Sequence, residues 1–110
     1  MNQREIWYAD LNPVRGSEQR GFRPVVIVSG NLLNAYLSVV IACPLTTKIK
    51  NYKGNLVLNP DKNNGLSKKS EIMIFHIRSI SKERLVKKTG MITQDQLSIL
   101  KQSLDDILRY

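Results

Sequence analysis

The chain has few of the residues from which metal sites and nucleophilic catalytic sites are built. Its 110 residues contain one histidine, one cysteine, and nine aspartates and glutamates against 17 lysines and arginines. One histidine and one cysteine cannot form a zinc site, and the carboxylates lack the spacing of cation ligands. A histidine-pair ribonuclease, a Ser-His-Asp triad and a glycine-rich phosphate loop are also excluded. We therefore predict a site that uses no metal and no cofactor.

Long apolar segments are also missing. No apolar run approaches the roughly 18 residues that a membrane-spanning helix needs, and the first residues lack the apolar region of a signal peptide. The lone Cys43 lies in an apolar run and cannot form a disulfide within the chain, which indicates a buried, reduced thiol. We expect a cytoplasmic protein with a single domain over residues 1–110.

Charge is the most unusual bulk property of the sequence. The formal net charge is +8 and the isoelectric point is near 9.9, which favours an anionic partner, most simply nucleic acid. A membrane surface is the competing explanation. The groups left for chemistry are arginines, hydroxyls, amides and a possible carboxylate. They suit RNA better than DNA, because RNA supplies its own nucleophile in the 2′-hydroxyl.

Hydrophobic patterning predicts a mainly β chain that ends in a helix. Short strands are expected over residues 4–10, 24–29, 39–45, 55–58, 71–77 and 85–91. Gly90 marks a bulge, Ser81 is expected to cap a helical turn, and residues 59–69 read as an exposed turn or flexible loop. Residues 32–37 fit either a helical turn or a loop. Thr93 and Gln96 form a capping-box pattern before a C-terminal amphipathic helix, so the predicted class is α+β, a small bent sheet or barrel closed by that helix.

The connector over residues 10–24 is the most distinctive stretch of the sequence. Pro24 restricts its own φ and pushes Arg23 toward extended geometry. Arg23 would therefore stand on the first residue of a stiff strand, where a guanidinium can bind a phosphate in a bidentate way. A solvated surface loop whose arginines serve solubility is the alternative interpretation at this point.

Motifs spread along nearly the whole chain carry a family resemblance. They are Tyr8-Ala-Asp-Leu-Asn-Pro13, Gly16-Ser-Glu-Gln19, Gly21-Phe-Arg-Pro24, Leu45-Thr-Thr47 and Ile77-Arg-Ser-Ile80. With these motifs the chain resembles the MazF/PemK/Kid family of toxin endoribonucleases. The resemblance implies an SH3-like barrel of the CcdB/MazF toxin fold with a C-terminal helix, a homodimer, and a partly disordered cognate antitoxin. It also implies metal-independent, sequence-selective cleavage of single-stranded mRNA to a 2′,3′-cyclic phosphate and a 5′-hydroxyl.

The same resemblance assigns site residues. Arg23 takes the place of the catalytic arginine and Thr46 that of the catalytic threonine, although Thr46 without the resemblance would read as an ordinary sheet or turn residue. Substrate contacts are expected from Arg15, Ser17, Glu18, Gln19, Lys48, Lys50 and His76. Glu18 is a possible base, or a solvated carboxylate that offsets neighbouring arginines.

One segment departs from the family pattern. Met73 and Phe75 occupy places where some Kid-like members carry an arginine and an aspartate, so that pair is absent here. His76 lies at a position where glutamine is common in the family. It could share proton transfer, contact RNA, or lie near the site with its hydrogen bonds satisfied. For Arg78 a structural hydrogen-bonding role is favoured over RNA contact. Two other functions stay open, a non-catalytic protein-binding toxin like CcdB and a basic RNA-binding module.

Overall fold

The protein folds into one curled antiparallel sheet with a long C-terminal helix. The computed structural model describes residues 1–16 and 21–110. In that part of the chain, the strands are β1 (Glu5–Asp10), β2 (Phe22–Ile27), β3 (Val39–Thr46), β4 (Leu56–Leu58), β5 (Ser70–Ile72), β6 (Arg78–Ser81) and β7 (Leu85–Met91). The α-helices are α1 (Asn31–Tyr36) and α2 (Gln94–Arg109), and 3₁₀ turns cover Ile74–His76 and Lys82–Arg84.

The sheet curls because one long strand has two short partners on the same edge. The strand order is β4-β5-β3-β2-β1-β7, and β6 pairs with β3 outside this path. The first half of β3, Val39–Ala42, pairs with β6, and its end, Leu45 and Thr46, pairs with β5. The result is a half-barrel whose path ends at β4 and β7. The predicted α+β class, a small bent sheet with a C-terminal helix, is confirmed.

The single strand predicted over residues 71–77 is wrong. The extended backbone of β5 ends at Ile72, and a 3₁₀ turn follows before β6 begins at Arg78. Long-range bonds set this break, because Met73 N donates to Pro44 O at 2.9 Å and Ile74 N donates to the Asn55 Oδ1 at 3.1 Å. The turn directs Phe75 and His76 into solvent instead of into a core.

Two apolar clusters lie on opposite faces of the sheet. Along β2, Val26 belongs to the larger cluster with Leu97 and Leu100 of α2, while Val25 and Ile27 belong to the smaller one. The burial of this strand on both faces is therefore confirmed. Cys43 is also fully buried in the larger cluster as a free thiol, as predicted, and burial raises its pKa to about 12.

The predicted caps, bulge and loops agree with the structure to different degrees. The capping box is confirmed, since Gln96 N donates to Thr93 Oγ1 at 3.0 Å and Thr93 N donates to Gln96 Oε1 at 2.8 Å. The register of β1 and β7 shifts beside Gly90, as the predicted bulge requires. The helical turn predicted after Ser81 is confirmed as Lys82–Arg84 with Ser81 at its N-cap, but the Ser81 side chain makes no capping bond. Residues 32–37 lie largely within α1. Within the predicted exposed loop 59–69, Asn64 is buried.

Candidate active site

Arg23 and Thr46 line the same cleft on neighbouring strands. Val25 of β2 pairs with Pro44 of β3, and Arg23 and Thr46 each lie two residues beyond that pair on their own strand. The cleft has a volume of about 550 Å³. Its walls include Tyr8, Phe22, Lys48, Lys68, Ser70 and Thr89. β2 begins at Phe22, so Arg23 is its second residue and not its first, but the predicted extended geometry is present.

Arg23 also borders a second, smaller cavity. This cavity has a volume of about 260 Å³ and places His76 and Arg78 beside Arg23. Arg23 thus lines both the cleft that contains Thr46 and the smaller cavity that contains His76 and Arg78.

The Thr46 hydroxyl is held by the backbone that follows it. Thr46 is the half-buried last residue of β3, and its Oγ1 accepts the N–H of Lys48 at 3.2 Å. This bond uses a lone pair of the oxygen and leaves the O–H proton available for donation. The arrangement suits a hydroxyl that donates to a phosphate oxygen.

The loop after Thr46, residues 47–55, is held by a buried carboxylate that the sequence analysis missed. Glu71 of β5 lies opposite Thr46 in the register and is 1% exposed. Its Oε1 accepts the N–H groups of Lys50 and Asn51 at 2.7 and 3.0 Å. Its Oε2 accepts the Tyr52 N–H at 3.1 Å and Asn55 Nδ2 at 2.9 Å. The only signal in the sequence was a lone acid at the start of an otherwise apolar run.

The electrostatics of Glu71 follow from these bonds. Burial would raise the pKa of its carboxyl, but the hydrogen bonds from Asn55 and the loop N–H groups outweigh burial and lower that pKa below its ordinary value. Glu71 is therefore ionised at neutral pH and fixes the backbone of the loop that carries Lys48, Lys50 and Lys53. Lys48 is among the residues that line the cleft, whereas Lys50 is bound to Glu71 through its backbone N–H.

A second buried carboxylate holds the start of the connector. Asp10 Oδ1 accepts Asn12 N at 3.0 Å and Asn12 Nδ2 at 2.8 Å, and its Oδ2 accepts the N–H of Gly16. Arg84 donates to the carbonyls of Asp10 and Asn12 at 3.1 and 2.6 Å. Burial would raise the pKa of Asp10, but these N–H donors and the charge of Arg84 lower it. Arg84 thus has the structural role that was predicted for Arg78.

The remaining predicted contact residues lie in different places. Arg15 forms a surface ion pair with Glu83 at 3.3 Å, in which both side chains are exposed. Arg78 is exposed in the smaller cavity, and within the described residues its guanidinium makes no hydrogen bond. Ser17, Glu18 and Gln19 lie outside the residues that the structure describes, so their roles stay predictions.

Residues 1–16 and 21–110 contain neither a metal-ligand cluster nor a membrane-spanning helix. No group of three or more His, Cys, Asp and Glu side chains is placed to hold a metal ion in this part of the chain. Within the same residues, none of the helices is both long enough and apolar enough to cross a bilayer.

Comparison with known proteins agrees with this geometry. Residues 2–108 match the family described as PemK-like, MazF-like toxin of type II toxin–antitoxin system. The endoribonuclease MazF of Staphylococcus saprophyticus is 33% identical over 106 residues, which cover 96% of this chain and 88% of that protein.

Solved structures share the fold. MazF from Deinococcus radiodurans superposes with a TM-score of 0.80 at 23% identity, over 100% of this chain and 97% of that one. A mycobacterial endoribonuclease in complex with its cognate antitoxin gives a TM-score of 0.79 at 21% identity, over 98% and 94% of the two chains. The chain is thus a homologue of the endoribonuclease MazF, and it belongs to the PemK-like, MazF-like family of type II toxin–antitoxin toxins.

Proposed function

We propose that this toxin is a sequence-selective endoribonuclease that cleaves single-stranded mRNA without a metal. The observation that carries the proposal is that Arg23 and Thr46 line one cleft, on two strands that pair with each other. A guanidinium and a hydroxyl in one cleft can both donate hydrogen bonds to one phosphate. The net charge of +8 favours the approach of a polyanion.

The proposed reaction is an attack by RNA on its own backbone. The 2′-oxygen of one ribose bonds to the adjacent phosphorus, the bond from phosphorus to the 5′-oxygen breaks, and the 2′-hydroxyl proton passes to a base. A proton delivered to the departing 5′-oxygen completes the step. The products are a 2′,3′-cyclic phosphate and a 5′-hydroxyl.

Each residue of the pair has a separate task in this reaction. Arg23 binds non-bridging oxygens and stabilises the extra negative charge of the pentacoordinate phosphorus. Thr46 donates its O–H to a phosphate oxygen. Arg23 does not act as a simple base, because a guanidinium hardly ever deprotonates in a protein. His76, which shares the smaller cavity with Arg23, contacts RNA and is a candidate for proton transfer together with Glu18.

The test is to cleave a long mixed RNA in EDTA and to map the ends of the products. We expect cuts at a recurring sequence, with cyclic phosphate and 5′-hydroxyl ends. Arg23→Ala and Thr46→Ala should each lower the rate about 10²- to 10³-fold, the usual cost of losing one such donor. Thr46→Ser should keep much of the activity, and Arg109→Ala, on the exposed face of α2, should keep all of it.

Several outcomes would overturn the proposal. Cleavage by Thr46→Ala at the unmutated rate would remove the role of the hydroxyl. RNA that is bound but left intact would indicate a basic RNA-binding module. Absence of both binding and cleavage would favour a protein-binding toxin like CcdB.

We further propose that the toxin is a homodimer that a cognate antitoxin inhibits. Solved relatives include an endoribonuclease in complex with its cognate antitoxin and a MazE–MazF complex. A partly disordered antitoxin segment would fold along the dimer and cover the connector from Arg15 to Arg23. Light scattering of the free toxin tests the dimer. A toxin–antitoxin complex that excludes RNA while the connector stays open would contradict the proposed blockade.

A further inference from the structure

Three aromatic side chains form an exposed row beside the candidate active site. The ring centroids of Tyr52 and Phe75 are 5.8 Å apart in an edge-on arrangement, and those of Phe75 and His76 are 4.8 Å apart. Tyr52 is 50% exposed and Phe75 is 46% exposed. Phe75 therefore leaves much of its apolar ring in water on a protein whose other phenylalanine, Phe22, is half-buried. We call these three residues the aromatic row.

The aromatic row is held in place by the buried network around Glu71. Glu71 Oε2 accepts both the Tyr52 N–H and the Asn55 side-chain N–H. Asn55 in turn accepts the N–H of Ile74 through its Oδ1 at 3.1 Å. The loop that carries Tyr52 and the 3₁₀ turn that carries Phe75 and His76 are thus tied to the same carboxylate. Their relative placement is built into the fold.

One end of the aromatic row, His76, lies beside the proposed phosphate site at Arg23. His76 lines the smaller cavity together with Arg23 and Arg78, and from His76 the row runs through Phe75 to Tyr52. Lys50 and Lys53 lie on either side of Tyr52 in the sequence, and both are exposed. A positively charged surface interleaved with aromatic faces is the arrangement that binds single-stranded nucleic acid.

We propose that the aromatic row is a base-stacking subsite for the nucleotides next to the phosphate held by Arg23. The inference rests on the proposed function. Its occupant is single-stranded RNA, whose unpaired bases present flat faces to aromatic side chains. A base stacks on the exposed face of Phe75, and Tyr52 and His76 close the subsite at its two ends. Through Phe75 and Tyr52 the subsite contributes to RNA binding and to the placement of the cut, not to the chemical step.

The test is a double-mutant cycle between the protein and the RNA. A short RNA that contains one mapped cut site is made with a single abasic nucleotide at each position in turn, and kcat/KM is measured for the unmutated protein and for Phe75→Ala. We expect one position near the cut at which the abasic change costs the unmutated protein about 5- to 150-fold, the range for loss of one stacked base. The same change should cost Phe75→Ala little, because its stacking partner is already gone.

Control variants separate stacking from general damage. Phe75→Trp keeps an aromatic face and should retain kcat/KM within a few-fold, while Phe75→Leu keeps apolar bulk and should behave like Phe75→Ala. Tyr36→Ala removes an aromatic ring that is 81% exposed on α1 and should change nothing. Tyr52→Ala removes a second ring of the aromatic row and should also weaken base stacking, which should raise KM with kcat preserved.

A binding measurement separates failure of this inference from failure of the proposed function. The RNA is made with 2′-deoxyribose at the cut site, so that it cannot be cleaved, and its Kd is measured by fluorescence anisotropy. Equal Kd values for unmutated protein and Phe75→Ala, with equal abasic penalties, overturn the stacking subsite even if cleavage is normal. Normal RNA binding combined with loss of antitoxin binding in Phe75→Ala also overturns it, because the row would then serve a protein partner. If the unmutated protein cuts no RNA, Kd values of the unmutated protein and Phe75→Ala for unmodified single-stranded RNA of mixed sequence decide the matter, and equal values overturn the stacking subsite.

Discussion

Two buried carboxylates hold the two loops beside the cleft, and they do so over different distances along the chain. Asp10 binds N–H groups of Asn12 and Gly16, which are 2 and 6 residues away. Glu71 binds N–H groups of residues that are 16 to 21 positions away. The Asp10 bonds shape a local turn, whereas the Glu71 bonds join a distant loop to the sheet.

The difference lies in how far along the chain each buried acid reaches. Both carboxylates lie in the interior as acceptors for backbone N–H groups, and the charged residues among the described lining of the cleft, Arg23, Lys48 and Lys68, are all cationic. A local turn can partly form without its carboxylate, because the chain is already short between its ends. A loop that is held by a residue distant in sequence depends on that residue, so replacement of Glu71 should lower the stability more than replacement of Asp10.

Replacement of Glu71 gives the largest expected change in stability. In Glu71→Gln one acceptor oxygen becomes an N–H₂ group that faces N–H donors, which leaves buried donors without partners. We expect the free energy of unfolding to fall by about 2–4 kcal/mol. Urea denaturation measures it. The matched control Glu83→Gln lies on the surface and should shift it by less than about 0.5 kcal/mol.

Lowering the pH gives the second-largest expected change in stability. The pKa values of Glu71 and Asp10 are lowered in the folded protein from ordinary values of 4.5 and 3.8. Their ionised forms therefore stabilise the fold fully above those ordinary values, and the stabilisation is lost as the pH falls through the lower, folded-state pKa values. Denaturation midpoints should be level near neutral pH and decrease below about pH 4.5. Glu71→Gln should have a shallower acid decrease than the unmutated protein, and an unchanged slope would contradict this assignment.

Asp10→Asn should have a smaller effect than Glu71→Gln. The asparagine keeps one acceptor oxygen for the local turn, and Arg84 still holds the carbonyls of Asp10 and Asn12 from the other side. We expect a lower Tm than that of the unmutated protein, but a higher Tm than that of Glu71→Gln. Asp105→Asn, on the exposed face of α2, serves as the control and should leave the Tm nearly unchanged. The reverse order of the two buried variants would contradict the contrast between local and distant anchors.

Arg15→Ala should have the smallest effect on stability. Its ion pair with Glu83 is exposed on both sides, and such pairs contribute about 0–1 kcal/mol. If Arg15 leaves Glu83 to contact an RNA phosphate, as the family resemblance implies, Arg15→Ala should lower the slope of log Kd against log salt by about one. An unchanged slope would assign Arg15 to the surface ion pair alone.

Local patterns in the sequence predicted the elements that depend on local interactions. The capping box at Thr93 and the fully buried run Val25–Ile27 follow from spacing and side-chain type alone. The break after Ile72 did not follow, because its causes are bonds to Pro44 and Asn55, which are distant in sequence. An apolar run such as Ile-Met-Ile-Phe carries no sign of the turn that those bonds impose.

The candidate site also contains both residues that were predicted from the sequence and residues that were not. The family resemblance named Arg23 and Thr46, and the sheet register brings them together. The resemblance did not indicate Glu71, because its role appears only when β5 lies beside β3 and the loop 47–55 folds over it. Arg84 was overlooked for the same reason, since its two carbonyl partners are 72 and 74 residues away.

The placement of Arg23 and Thr46 on neighbouring strands of the sheet has a consequence for protein engineering. Both residues stand on the sheet, whereas the aromatic row and the lysines belong to turns and loops attached to it. If the proposed stacking subsite and the proposed roles of Arg23 and Thr46 hold, the 47–55 loop, the 3₁₀ turn and Glu71 could be exchanged as a unit for those of another family member. Such chimeras are expected to change the RNA sequence that is cut while the turnover number stays the same.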